Sequence, residues 1–158
     1  MDSSLCTHIV YAFALLSETS WGIKPADSWV DVDKKFYEQV VALKKKSGVK
    51  VLIGLGGWND SGYSKYSELL KDPHKIAKFV QKTKDFIEEY KFDGIDLDYE
   101  YPSCPQGNCG TEHAVNDKTG FLTLVKKLKN ELPSGSLITA AVSPNKFIVD
   151  DGKNESFK

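Results

Sequence analysis

The chain has 158 residues, 41% hydrophobic and 27% charged, which is the size and balance of one globular domain, neither disordered nor membrane-embedded. A net charge of −1, with no local run of basic residues, removes the electrostatic case for nucleic acid or an anionic membrane as partner. Neutral ligands fit this balance better.

His8 to Leu16 is an apolar run that could pass for the core of a signal peptide. No basic residue precedes it and no small-residue cleavage site follows, so it reads as a buried strand, Thr7–Ala14, with no signal peptide in this chain. An irregular connection through Trp21-Gly22 and Trp29 leads to a helix expected over Asp33–Lys46, with Phe36, Tyr37, Val40, Val41 and Leu43 inward and Ser47-Gly48 closing it. Lys50–Gly56 is a continuous apolar strand that empties into Gly57-Trp58-Asn59-Asp60-Ser61-Gly62. Asp72 as N-cap and Pro73 at the first helical position open a helix, with Ile76, Phe79, Val80, Thr83, Phe86, Ile87 and Tyr90 at helical spacing. A third helix has Asp117 as N-cap, with Phe121, Leu124, Val125, Leu128 and Leu132 inward. The last strand is Leu137–Val142.

Between the second and third helices lies Phe92-Asp93-Gly94-Ile95-Asp96-Leu97-Asp98-Tyr99-Glu100-Tyr101-Pro102, where acids and apolar residues alternate. A period of two sends Asp96, Asp98 and Glu100 to one face of a strand and Ile95, Leu97 and Tyr99 to the other. Like charges about 6.5–7 Å apart along a strand cannot all ionise comfortably, so one should hold its proton above its reference pKa. A proton-holding carboxyl beside an ionised one makes an acid and its partner. A calcium loop would need Gly where Tyr101 stands. A solvated surface strand and a magnesium site remain alternatives, behind a catalytic carboxylate cluster.

Cys104 and Cys109 bracket a turn-forming insert and are expected to close a small disulfide loop, with a metal cluster including His113 as the alternative. Cys6 is left single, and its partner is expected on a segment outside this chain.

The order βαβαβαβ calls for parallel strands with helical crossovers. Strands begin at Thr7, Lys50, Asp93 and Leu137, a pitch of about 43 residues, at which an eight-unit barrel would need about 340. A doubly wound sheet covers both faces with helices and leaves no face for three acids, whereas a barrel strand points alternate side chains into a pocket. The fold class is therefore α/β, a parallel (β/α)8 barrel of which about half is present. Phe13, Gly57-Trp58-Asn59, Glu100-Tyr101 and Ser143–Asn145 then collect at one end. The dinucleotide-binding glycine pattern fails at Asn59.

Cys6–Ala14, Gly54-Leu55-Gly56-Gly57-Trp58-Asn59 and Asp93–Pro102 together resemble glycoside hydrolase family 18, most of all secreted arthropod chitinases. The resemblance covers essentially the whole chain. It implies that residues 1–158 are an incomplete catalytic domain holding roughly the second to fifth barrel strands. Glu100 matches the general acid, Asp98 the acid that turns toward it and orients the substrate N-acetyl group, and Asp96 the inner acid sharing a proton with Asp98. Gly57, Trp58, Asn59 and Tyr101 match sugar-binding positions, with Phe13 nearby and Trp29 at an outer subsite.

Two departures stand out. Gly54 occupies a position where many members have Ser, and the family's Tyr–Asp pair on the sixth strand and floor tryptophan on the eighth have no counterpart. The resemblance implies retaining, substrate-assisted hydrolysis of chitin or chitooligosaccharides, with no cofactor and no metal, by a secreted parent protein. The 158-residue chain alone is expected to have little or no activity. The alternative is a non-catalytic, lectin-like chitin-binding relative.

Overall fold

The computed structural model describes residues 2–145 and Ile148. Five strands form one sheet in the order β2-β1-β3-β4-β5, where β1 is His8–Ser17, β2 Gly22–Pro25, β3 Lys50–Gly56, β4 Gly94–Asp98 and β5 Leu137–Ala140. β1, β3, β4 and β5 run parallel, as the alternation of strands and helices predicts, while β2 pairs antiparallel to the end of β1. β2 is absent from the sequence reading. It forms because β1 continues three residues past Ala14 and turns back at Glu18-Thr19-Ser20.

The helices are α1 (Phe36–Val41), α2 (Leu43–Ser47), α3 (Lys65–Lys71), α4 (Pro73–Tyr90) and α5 (Asp117–Glu131). α4 starts as predicted: the Asp72 carboxylate accepts from the amides of His74 (2.8 Å) and Lys75 (3.3 Å), with Pro73 inside the first turn. Its buried stripe of Ile76, Phe79, Val80, Thr83, Phe86 and Ile87 packs toward one face of the sheet. That face presents Ile53, Leu55, Ile95, Leu97 and Tyr99, all at most 2% exposed. Each such apolar side chain contributes about 1.5–3 kcal/mol on burial, so this layer dominates the stability of the arc.

Four expectations need correction. The helix over Asp33–Lys46 is broken into a π-helical turn (Trp29–Asp33), α1 and α2, with Lys35 left-handed at φ 61°. The buried Asp31 carboxylate sets that path by accepting from Tyr11 OH (2.5 Å), Tyr37 OH (3.4 Å) and the Asp27 amide (3.1 Å). Tyr37, fully buried, packs edge-on against Tyr11, Tyr90, Phe92 and Phe86 at 4.9–5.6 Å, while Phe36 is exposed instead of inward. α3, which carries buried Tyr66, Leu69 and Leu70, was also unforeseen. Asp117 is not an N-cap: Asn116 holds that place without a side-chain cap, and Asp117 is buried inside the first turn. The last strand stops at Ala140, two residues short of the expected end.

On the opposite face, β1 presents His8, Val10 and Ala12, all exposed. The acids lie on this solvent-open side. In the register of the sheet Gly54 pairs with Asp96 and Gly56 with Asp98, so both aspartates have a neighbour without a side chain on that flank. Gly54 is filled from the other side. A Cβ there would stand 3.1 Å from Phe13 and Val10 side-chain carbons, so this chain uses Phe13 to occupy the space a larger residue would need.

Candidate active site

β4 shows the alternation read from its sequence: Ile95, Leu97 and Tyr99 are buried, whereas Asp96, Asp98 and Glu100 are each partly exposed. Asp96 Oδ1 accepts from the Thr139 hydroxyl on β5, its partner in register. Asp98 differs. Its Oδ1 is buried without a hydrogen-bond partner, and burial first, then the charges of Glu100 and Asp96, push its pKa up to about 6. The Tyr101 hydroxyl has its pKa raised, by desolvation first and then by the neighbouring Glu100 carboxylate.

A folded-state pKa of about 6 against an unfolded value near 3.9 means that the native state prefers protonated Asp98. That contribution is whole below pH 4 and is lost as pH rises through 6. Between pH 4 and pH 7 the wild type should therefore lose about 1–2 kcal/mol relative to Asp98→Asn, after allowance for solvent screening of a half-exposed group. Thermal midpoints of the two proteins across that range read the effect. A constant difference between them would contradict it.

The turn after β3 closes against β4. Gly57 N–H donates to Asp98 O (2.9 Å), and a Cβ on Gly56 (φ +113°) would come within 2.5 Å of that same oxygen. Only glycine permits this approach at that φ. The turn presents Trp58, 49% exposed, and Asn59 at the rim of a shallow cavity of about 480 Å³ lined also by Phe13, Leu15, Ala26 and Gly57. Phe13, Gly57, Trp58 and Asn59 are thus brought together beside Asp98. Trp29, 61% exposed and covered by Lys34 Nζ 4.8 Å above its ring, stands apart from that lining.

Several residues that hold the site were not singled out from the sequence. The Ser61 hydroxyl, fully buried, accepts from Glu100 N–H (2.9 Å) and donates to Gly57 O (2.9 Å). Asp60 pairs with Lys65 in the interior and also takes Tyr66 OH (2.8 Å) and the Leu16 amide (3.3 Å), which anchors the turn to β1. Behind β4, Tyr99 OH donates to buried Asp117 at 2.5 Å, joined by Ser67 at 2.7 Å, and burial raises the Asp117 pKa. The bonds from Glu100 to Ser61, from Leu16 to Asp60 and from Tyr99 and Ser67 to Asp117 span 18 to 50 positions, so no local sequence signal marks those pairings.

Cys104 and Cys109 form a disulfide, which takes both thiols from the alternative metal cluster with His113. Cys6 is a free, exposed thiol.

The sequence profile of "Glycosyl hydrolases family 18" matches residues 1–156. The chain belongs to that family. It is 50% identical over 153 residues to "Probable chitinase 10" of Drosophila melanogaster, covering 96% of this chain and 7% of that protein. The Manduca sexta "Endochitinase" is 33% identical over 151 residues, covering 93% and 26%. Among solved structures, catalytic domain 2 of the Ostrinia furnacalis Group II chitinase superposes with a TM-score of 0.91 at 50% identity, covering 95% of this chain and 39% of that one. A glutamate-to-leucine mutant of that domain, crystallised with penta-N-acetylchitooctaose, (NAG)5, gives 0.89 at 49% identity, covering 95% and 39%. The fold is thus the parallel α/β sheet of these family 18 barrels, present as an arc, and the chain spans less than two fifths of each of these relatives. Among the described residues no helix is long and apolar enough to cross a membrane.

Proposed function

We propose that the full-length protein is a chitinase that hydrolyses β-1,4-linked N-acetylglucosamine polymers, with residues 1–158 supplying roughly the second to fifth strands of its catalytic barrel. The observation that carries this reading is the unpartnered, buried Asp98 oxygen beside Glu100, at a strand end that also presents Trp58. A carboxyl whose surroundings raise its pKa, standing beside a second carboxyl, is the pairing that an acid and its partner use.

In this reading Glu100 gives its proton to the glycosidic oxygen as the bond to the anomeric carbon breaks. The acetamide oxygen of the same sugar forms the new bond to that carbon from the opposite face, with Asp98 holding the acetamide N–H. Water then attacks the anomeric carbon, returns a proton to Glu100 and releases the sugar with retained configuration. Family 18 is one of the known exceptions to the scheme in which a carboxylate is the nucleophile. Asp96, bonded to Thr139, shares a proton with Asp98 until Asp98 turns toward Glu100. Trp58 offers a ring face to a sugar, and Asn59, Tyr101, Gly57 and Phe13 shape the groove, while Trp29 serves an outer subsite.

The substrate is chitin or chitooligosaccharide, with no nucleic acid or membrane as partner. Secretion is part of the proposal, supported by the Cys104–Cys109 disulfide, which persists in oxidising compartments. The test compares N-acetylated with fully deacetylated substrate in the full-length protein. Turnover should require the acetamide. Efficient cleavage of the deacetylated polymer would exclude the assisted route, and binding without any turnover would leave a lectin-like protein.

A further inference from the structure

We propose that Gln106, carried in the loop closed by Cys104–Cys109, is a positioning residue that holds the general acid Glu100 at a set place against the Trp58 turn. The proposal rests on the reading above, in which Glu100 is the acid and Trp58 a sugar platform.

The backbone contacts motivate it. The Gln106 amide N–H donates to Glu100 O at 2.6 Å, and its side-chain Nε2 donates to Trp58 O at 2.9 Å. One residue therefore grips both partners of the site, although Trp58 and Gln106 lie 48 positions apart. Ser61 makes the complementary link, from Glu100 N–H to Gly57 O. Both backbone groups of Glu100 and both carbonyls flanking the Gly57–Trp58 peptide are thus held by two side chains and one amide. Gly62 leaves the room for this: a Cβ there would lie 2.9 Å from Nε2 and Oε1 of Gln106.

The loop is itself tied down at its base. Tyr101 and Cys104 exchange backbone bonds, Tyr101 N–H to Cys104 O (3.1 Å) and Cys104 N–H to Tyr101 O (2.8 Å). Gly107 N–H also bonds to Cys104 O at 2.9 Å. The disulfide spans five positions around Gln106, so the amide that grips Glu100 has little freedom to leave. The loop fixes where the acid stands and touches no substrate. Misplacing a reacting group by about 1 Å can cost up to 10²-fold in rate.

The test uses the full-length protein and chitooligosaccharide turnover, with Gln106→Ala and Gly62→Ala. Gly62→Ala displaces the end of the Gln106 side chain and leaves Gln106 and the loop chemically intact, so it remains informative if Gln106→Ala does not fold. Both variants should lower kcat about tenfold and change KM less than about threefold, with thermal midpoints close to wild type, and the double variant should be no slower than the worse single one. The acid limb of the kcat–pH profile should move to lower pH in both, since a Glu100 carboxylate farther from Asp98 raises its pKa less.

If a folded variant keeps wild-type kcat and pH profile while Glu100→Gln is inactive, the positioning role is wrong and the chitinase reading stands. A loss of rate that only follows a lowered thermal midpoint, with the pH profile unmoved, would also overturn it. An active Glu100→Gln would take down the reading and this proposal together.

Discussion

Glu100→Gln in the full-length protein is expected to lower kcat on chitooligosaccharides by about 10²–10⁴-fold, with KM little changed. The size of the loss follows from what the substitution removes. Glutamine has nearly the same shape, and the two main-chain bonds that place residue 100, from its N–H to Ser61 and from Gln106 to its C=O, involve no side-chain atom of Glu100. The fold and the groove at Trp58 and Asn59 therefore stay as they are, and ground-state binding with them. Only the transferable proton is gone. Steady-state kinetics with a matched melting curve read this directly, and a variant as fast as wild type would end the assignment of Glu100 as acid.

Lys65→Met is expected to destabilise the protein by about 3–5 kcal/mol. Lys65 and Asp60 pair with side chains only 9% and 8% exposed, and Lys65 Nζ also donates to Leu16 O at 3.3 Å. Methionine fills the space of the stem but leaves the Asp60 carboxylate buried with only neutral donors, Tyr66 OH and the Leu16 amide. The Lys127–Glu131 pair on α5 makes the contrast. Its side chains are 34% and 42% exposed, and Lys127→Met should cost less than about 1 kcal/mol. Replacing both buried partners, as Lys65→Met with Asp60→Asn, should recover part of the loss because no charge is then stranded. Thermal midpoints of the four proteins measure the set. Equal midpoints for Lys65→Met and Lys127→Met would refute the argument from burial.

The two effects meet at one turn. Asp60 ties the Gly57–Ser61 segment to β1 and Ser61 ties it to the end of β4, so Trp58, the proposed sugar platform, sits on a bridge between two strands. A protein weakened at Lys65 should lose order at Trp58 before it loses the sheet, because the core under β3 and β4 does not depend on that pair. That core is apolar and continuous from Phe79 and Val80 to Leu124 and Leu128.

What could be read from the chain alone was whatever depends on near neighbours. The acid–apolar alternation of Ile95 to Glu100 has a period of two, and the sheet sorts it as that period requires. Asp72-Pro73 caps α4, and the apolar stripe behind it is buried as its spacing dictates, since helical caps and faces are set within one or two turns. The parallel order of β1, β3, β4 and β5 followed from the even pitch of strands and helices.

Tertiary structure decided the rest, wherever a polar group found its partner at long range. Asp117 is a fair N-cap by its position, yet Tyr99 and Ser67 draw it into the interior. Asp31 sits in a π-helical turn just before the expected helix and delays its start to Phe36, because Tyr11 and Tyr37 bring it two hydroxyls. Ser61 and Gln106 look like ordinary loop residues until the turn after β3 and the loop after β4 lie side by side. A buried polar group must be satisfied by whatever the fold brings near it, and periodicity along a chain carries no record of that.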